Sequence, residues 1–86
     1  MSRSVRALAV LRLFAAAREA AGTDRTAIDG TTVGAVLAQA RQRFGGEFTK
    51  VLDGSRVWLN GEPATDDDPV APTDEVAVLP PVSGGC

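Results

Sequence analysis

Eighty-six residues with 44% apolar content are enough for one folded domain and too few for two separate cores. Net charge is −2, divided as +4 over residues 1–56 and −6 over residues 57–86, where six acids stand without a Lys or Arg; such an acidic C-terminal third predicts a partner with a basic docking surface. No apolar run approaches the roughly 20 residues that span a bilayer, and the basic residues are scattered without interleaved aromatics, so neither a membrane nor a nucleic acid is expected as a partner.

Met1 to Arg6 has the charge of a signal-peptide start. Arg12 and Arg18 break the apolar stretch behind it, and no cleavage pattern follows, so the cytoplasm is the expected compartment. Ala7–Phe14 is apolar apart from Arg12 and reads as a strand. Ala15–Ala21 is alanine-rich and predicts a helix stopped by Gly22. Arg25–Asp29 predicts a second strand. Thr31 or Thr32 then caps a clearer helix, in which Val33, Val36, Leu37, Ala40 and Phe44 recur at helical spacing until Gly45-Gly46 ends it.

Phe48–Leu52 reads as a brief helical turn. Arg56–Asn60 reads as a strand, with Asn60-Gly61 as a tight hairpin and Glu62-Pro63-Ala64 as the return. Asp66–Thr73, with two prolines and three successive aspartates, is loop. Glu75–Leu79 is the last strand, halted by Pro80-Pro81. The order is strand, strand, helix, strands, and the first and last strands are apolar enough to be central neighbours. It predicts an α+β, ubiquitin-like β-grasp: a mixed sheet of four to five strands packed on one main helix. Residues 1–81 form the domain and residues 82–86 a flexible C-terminal tail.

The chain contains no His and no Tyr, and its single Cys is the last residue. No Ser-His-Asp or Cys-His arrangement and no His/Cys metal cluster can be assembled. The two diglycines lack the lysine-bearing pattern of a phosphate loop, and Asp66-Asp67-Asp68 does not have the spacing of a calcium loop. The domain is therefore expected to be a substrate or carrier rather than an enzyme, with no bound cofactor and no metal. Its informative segment is the end, Pro80-Pro81-Val82-Ser83-Gly84-Gly85-Cys86. Two successive glycines carry no Cβ, so they make a thread thin enough for a narrow active-site tunnel.

Three segments carry a resemblance. They are Leu13-Phe14-Ala15-Ala16-Ala17-Arg18-Glu19-Ala20-Ala21-Gly22, Val57-Trp58-Leu59-Asn60-Gly61-Glu62, and Asp74-Glu75-Val76-Ala77-Val78-Leu79-Pro80-Pro81-Val82-Ser83-Gly84-Gly85. Together they resemble the MoaD/ThiS family of ubiquitin-like sulfur carriers, and most of all the small subunit of molybdopterin synthase. The resemblance implies that an adenylating partner similar to ubiquitin-activating enzyme spends ATP on the Gly85 carboxylate. A sulfur donor then makes the thiocarboxylate, and the large subunit of molybdopterin synthase, or an analogous acceptor enzyme, receives the sulfur. It gives Gly85 the acyl site, Gly84 clearance beside it, and Pro80 and Pro81 the stiffening of the exit. Phe14, Trp58, Val82 and Ser83 join the two prolines as expected partner contacts. Trp58, the only Trp and on an alternating strand, suits a partner contact on that ground, but it has a second reading as a core aromatic, which is the favoured one. Thiazole, cysteine or another metabolite could take the sulfur instead, and a protein modifier joined to target lysines is the alternative from a different class.

The family pattern ends in a free diglycine, whereas here Cys86 follows. Cys86 admits three readings: a cap removed by a JAMM-type metalloprotease, an addition carried by the expressed polypeptide, or a tail thiol used directly. The cap is the leading one.

Overall fold

The computed structural model describes residues 8–81. Its elements follow the predicted order: β1 Ala9–Leu13, α1 Ala15–Ala21, β2 Arg25–Ile28, α2 Val33–Phe44, α3 Gly46–Asp53, β3 Arg56–Leu59, β4 Glu62–Pro63 and β5 Glu75–Leu79. The strands form one five-stranded sheet in the order β2-β1-β5-β3-β4. β1 and β5 run parallel at its centre, with Leu11 opposite Val76 and Leu13 opposite Val78. The other pairings are antiparallel. This is the ubiquitin-like β-grasp, with three helices on one face of the sheet.

Period-two alternation decides which residues enter the core. Ala9, Leu11 and Leu13 of β1 and Val76 and Val78 of β5 point inward and are buried. They meet Val33, Val36, Leu37 and Ala40, the stripe of α2. Thr32, not Thr31, is the N-cap of α2; its Oγ1 accepts from the Ala35 N–H at 3.1 Å, satisfying one of the helix's orphan donors. No helix among the described residues is long and apolar enough to cross a membrane.

One element is longer than expected. Phe48–Leu52 is the middle of an eight-residue helix, α3, that begins at Gly46. Gly45, at φ 91°, both ends α2 and turns the chain into α3, a conformation that residues with a Cβ rarely adopt. The Gly45 carbonyl then accepts from both the Thr49 N–H and its Oγ1 hydroxyl, which starts the helix without a conventional cap. Phe48 and Leu52 are buried in the core as α3 packs on α1 and α2, and the Phe48 ring stands 5.2 Å from that of Phe44. The helical layer is thus α2 completed by α1 and α3, rather than one helix alone.

The loop 64–74 lies at one end of the sheet. The Asp68 and Asp66 carbonyls accept from the Val33 and Gly34 N–H groups, and Thr32 bridges to Pro69, so the three aspartates sit beside the start of α2. That end of the sheet is where β2 finishes and where β1 and β5 begin. The chain leaves β5 toward Pro80 at the opposite end.

Candidate functional site

The sheet face away from the helices carries the alternate residues: Val10 and Arg12 of β1, Arg25 and Ala27 of β2, Arg56 and Trp58 of β3, and Glu75, Ala77 and Leu79 of β5. No described element covers this face. Its centre is a groove of about 210 Å³ lined by Phe14, Trp58, Gly61, Glu75, Ala77 and Leu79.

Each wall is placed by a local rule. Phe14 follows β1 and is the N-cap of α1, with extended backbone (φ −123°, ψ 153°), so its ring is directed past the end of the strand rather than into the helix. Its N–H reaches the Val78 carbonyl at 3.3 Å, and its own carbonyl accepts from Ala17 at 3.0 Å. The ring is 38% exposed and lies 5.3 Å from the Arg12 guanidinium, a cation–π distance. Trp58 stands between Ala77 of β5 and Pro63 of β4. Asn60 (φ 51°) and Gly61 (φ 87°) make the expected two-residue hairpin between β3 and β4. Asn60 also clamps β5: its N–H donates to the Glu75 carbonyl, and its side-chain oxygen accepts from the Glu75 N–H.

Leu79 is both the last residue of β5 and the last wall of the groove, so Pro80 and Pro81 start directly beside it. Pro80 is partly buried and Pro81 exposed. Val82, Ser83, Gly84, Gly85 and Cys86 lie outside the described residues. Gly85 is six residue steps beyond Leu79 in sequence, a reach of at most about 20 Å of extended chain.

Two expectations are corrected here. Trp58 is absent from the buried core; the inward positions of β3 are Val57 and Leu59, and the indole makes no hydrogen bond to a described residue. The second concerns charge. Asp66, Asp67 and Asp68 are near the exit in sequence but at the far end of the sheet in space. Arg12, Arg25 and Arg56 lie on the open face, towards the end from which the chain leaves, so a basic docking surface on the partner is not what the fold asks for. Sequence reasoning also missed Leu79 and Ala77 as groove walls. The signal was available in the alternation of Glu75, Ala77 and Leu79 against buried Val76 and Val78.

A larger cleft of about 310 Å³ lies between α1 and α3, lined by Ala16, Glu19, Ala20, Glu47 and Val51. It is on the helical side, and none of the expected site residues among those described lines it. Among the described residues no three His, Cys, Asp or Glu side chains converge as a metal site.

Comparison with known proteins gives these parts a lineage. The model of the ThiS family matches residues 11–85, which takes in the sheet, the helices and the diglycine. The chain belongs to the ThiS family. Small archaeal modifier protein 1 of Haloferax volcanii is 32% identical, with 91% of this chain and 99% of that one covered and a TM-score of 0.81. The subunit 1 of a molybdopterin converting factor from Pyrococcus furiosus is 24% identical, over 87% of this chain and 98% of that one, with a TM-score of 0.77. CysO in the BexX/CysO complex of Amycolatopsis orientalis is 19% identical, over 90% and 99%, with a TM-score of 0.76. The last two likenesses establish the fold alone. A search of the curated proteins finds no match. The members of this group are small ubiquitin-like carriers that act with partner enzymes.

Proposed function

We propose that the chain is a sulfur carrier for molybdopterin synthesis, active in the cytoplasm after the Gly85–Cys86 bond is cut. The observation that carries this is the continuity between platform and tail. Central strand β5 ends in the groove at Leu79 and runs straight into Pro80-Pro81-Val82-Ser83-Gly84-Gly85. A partner seated on Phe14, Trp58 and Leu79 is therefore within about 20 Å of the reacting carbonyl.

The chemistry needs little from the carrier itself. A carboxylate is a poor electrophile. The activating enzyme transfers AMP from ATP to the Gly85 carboxylate and releases pyrophosphate. A hydrosulfide donor then attacks the acyl carbon, AMP leaves, and a thiocarboxylate remains. Its sulfur is a nucleophile that the tail carries into the acceptor enzyme. Gly84 and Gly85 present no side chain to the tunnel wall, and Pro80 and Pro81 limit the directions in which the tail leaves the sheet. None of this can begin while Gly85 is held in a peptide bond to Cys86, so a protease, of JAMM type on our proposal, precedes the activating enzyme.

A second reading is favoured by the 32% identity to a small archaeal modifier protein: the activated Gly85 is attacked by a lysine of a target protein and stays attached. One experiment separates these. The chain ending at Gly85 is incubated with the adenylating enzyme of the same organism, ATP and a sulfide source, and its intact mass is followed. The expected result is the mass gain of one oxygen-to-sulfur exchange, then sulfur transfer to the pterin precursor when the molybdopterin synthase large subunit is added. The full chain with Cys86 should show neither. Lysine-linked adducts in place of the thiocarboxylate would establish the modifier.

A further inference from the structure

Two strands of the sheet, β2 and β4, have a neighbour on one side only. β4 is Glu62–Pro63, two residues of which one lacks an N–H, so it offers little to a further strand. β2 has four residues and is the edge at which the sheet can grow. The Leu13 N–H donates to the Asp24 carbonyl at 2.9 Å, which sets the phase of the antiparallel ladder. Thr26 and Ile28 turn their backbone groups toward β1, and Arg25 and Ala27 turn theirs outward. Side chains already occupy most of these outward groups. Thr23 Oγ1 donates to the Arg25 carbonyl at 3.0 Å and accepts from the Arg25 N–H at 3.4 Å, so one hydroxyl engages both. Arg43, in the last turn of α2, places Nη1 3.1 Å from the Ala27 carbonyl and 3.1 Å from Thr26 Oγ1. Of the four outward groups, only the Ala27 N–H has no such lock among the described residues.

We infer that Arg43 and Thr23 hold the β2 edge shut against a second copy of this chain, and that without them two copies join through β2. The register names the occupant. Arg25 and Ala27 stand symmetrically about Thr26, so a twofold axis at Thr26 pairs Arg25 of each copy with Ala27 of the other and forms four backbone hydrogen bonds. Arg43 competes for the Ala27 carbonyl, and Thr23 for both groups of Arg25. The joined product is one continuous sheet with five strands from each copy. Both open faces then lie on the same side of it, where a domain-sized partner seated on one groove collides with the neighbouring copy. The lock is built at the surface: neither Thr23 nor Arg43 belongs to the buried core, so opening it leaves the platform standing. It acts on the domain alone and does not depend on what Gly85 carries.

Self-association of the full chain and of the double variant Thr23→Val/Arg43→Ala is measured by sedimentation over a concentration series. The parent should stay monomeric, and the double variant should associate at least about tenfold more tightly, because backbone groups held by side chains are freed to pair. Amide exchange followed by NMR should then slow at Arg25 and Ala27 as concentration rises. Arg41→Ala removes the same charge from the same helix, breaks the Arg41–Asp53 pair instead, and should remain as monomeric as the parent. Circular dichroism checks that each variant folds. If the double variant does not, the single Arg43→Ala, which still frees the Ala27 carbonyl, is read in its place. A folded variant no more associated than the parent, a dimer whose Arg25 and Ala27 amides exchange as fast as in the monomer, equal association of Arg41→Ala, or a parent already paired through β2 would each overturn the inference.

Discussion

Replacing Phe14 by alanine probes the docking face with the fewest assumptions. Its ring is 38% exposed in the free domain. A phenylalanine offers about 200 Å², so about 75 Å² remains for a partner to cover. At about 25 cal/mol per Å² the lost burial is about 1.9 kcal/mol, or about 25-fold in Kd. The substitution also acts on the free protein, because the ring packs beside Arg12 and Leu79. Phe14 is outside the buried core, so that cost should be about 1–2 kcal/mol, against roughly 4–13 kcal/mol for a domain of this length. The variant therefore stays folded, with its melting temperature lowered by about 5–15 °C. Calorimetric titration against the activating enzyme, at a temperature where melting curves show both proteins folded, separates the two effects. Affinity within about twofold of the parent, in a folded variant, would refute the assignment of this face.

Two further substitutions test the platform. Phe48→Ala empties a fully buried site in contact with the Phe44 ring and should cost about 3–5 kcal/mol in urea unfolding, with a marginal or unfolded domain as the result. A loss under about 1 kcal/mol would mean that α3 is not seated as described. Thr73 holds φ 70° at the third position of the turn Ala71-Pro72-Thr73-Asp74, closed by the Asp74 N–H to the Ala71 carbonyl at 3.0 Å. A β-branched residue is strained there, so Thr73→Gly should stabilise the protein by about 0.5–1 kcal/mol despite glycine's larger chain entropy. Destabilisation would show that the turn is shaped by Thr73 contacts instead.

Much of the platform was legible in the chain. The stripe Val33, Val36, Leu37, Ala40 has a single period, and both rules for a tight hairpin meet in Asn60-Gly61, so α2 and β3–β4 could be read directly. The start of α3 could not, because Gly46 has poor helix propensity and the helix is secured by Gly45 geometry and by burial of Phe48 and Leu52. Trp58 was ambiguous for a different reason. Val57-Trp58-Leu59 is apolar on both faces, so alternation alone does not say which side meets the helices. The charge of the open face was invisible for a third reason: Arg25, Arg12, Glu75 and Arg56 come from four strands, and only the order β2-β1-β5-β3 makes them neighbours. Counting charge along the sequence put the acids near the end of β5, whereas the fold holds Asp66 and Asp68 beside the start of α2 and puts Arg56 opposite Leu79.

The parallel pairing of β1 with β5 also bears on synthesis. Leu11 and Val76 face the same core from positions 65 residues apart, so the sheet lacks its central strand until residues 75–79 have been made. A nascent or truncated chain that stops in the loop after β4 has β1 without its inner neighbour and α2 without half its floor. Contacts of such long range slow folding relative to a local helical bundle. They also tie completion of the core to emergence of residues 75–79, which stand four residues ahead of the diglycine in sequence. On the proposed function, an enzyme that reads the open face together with the segment after β5 meets that face only once residues 75–79 have completed the sheet.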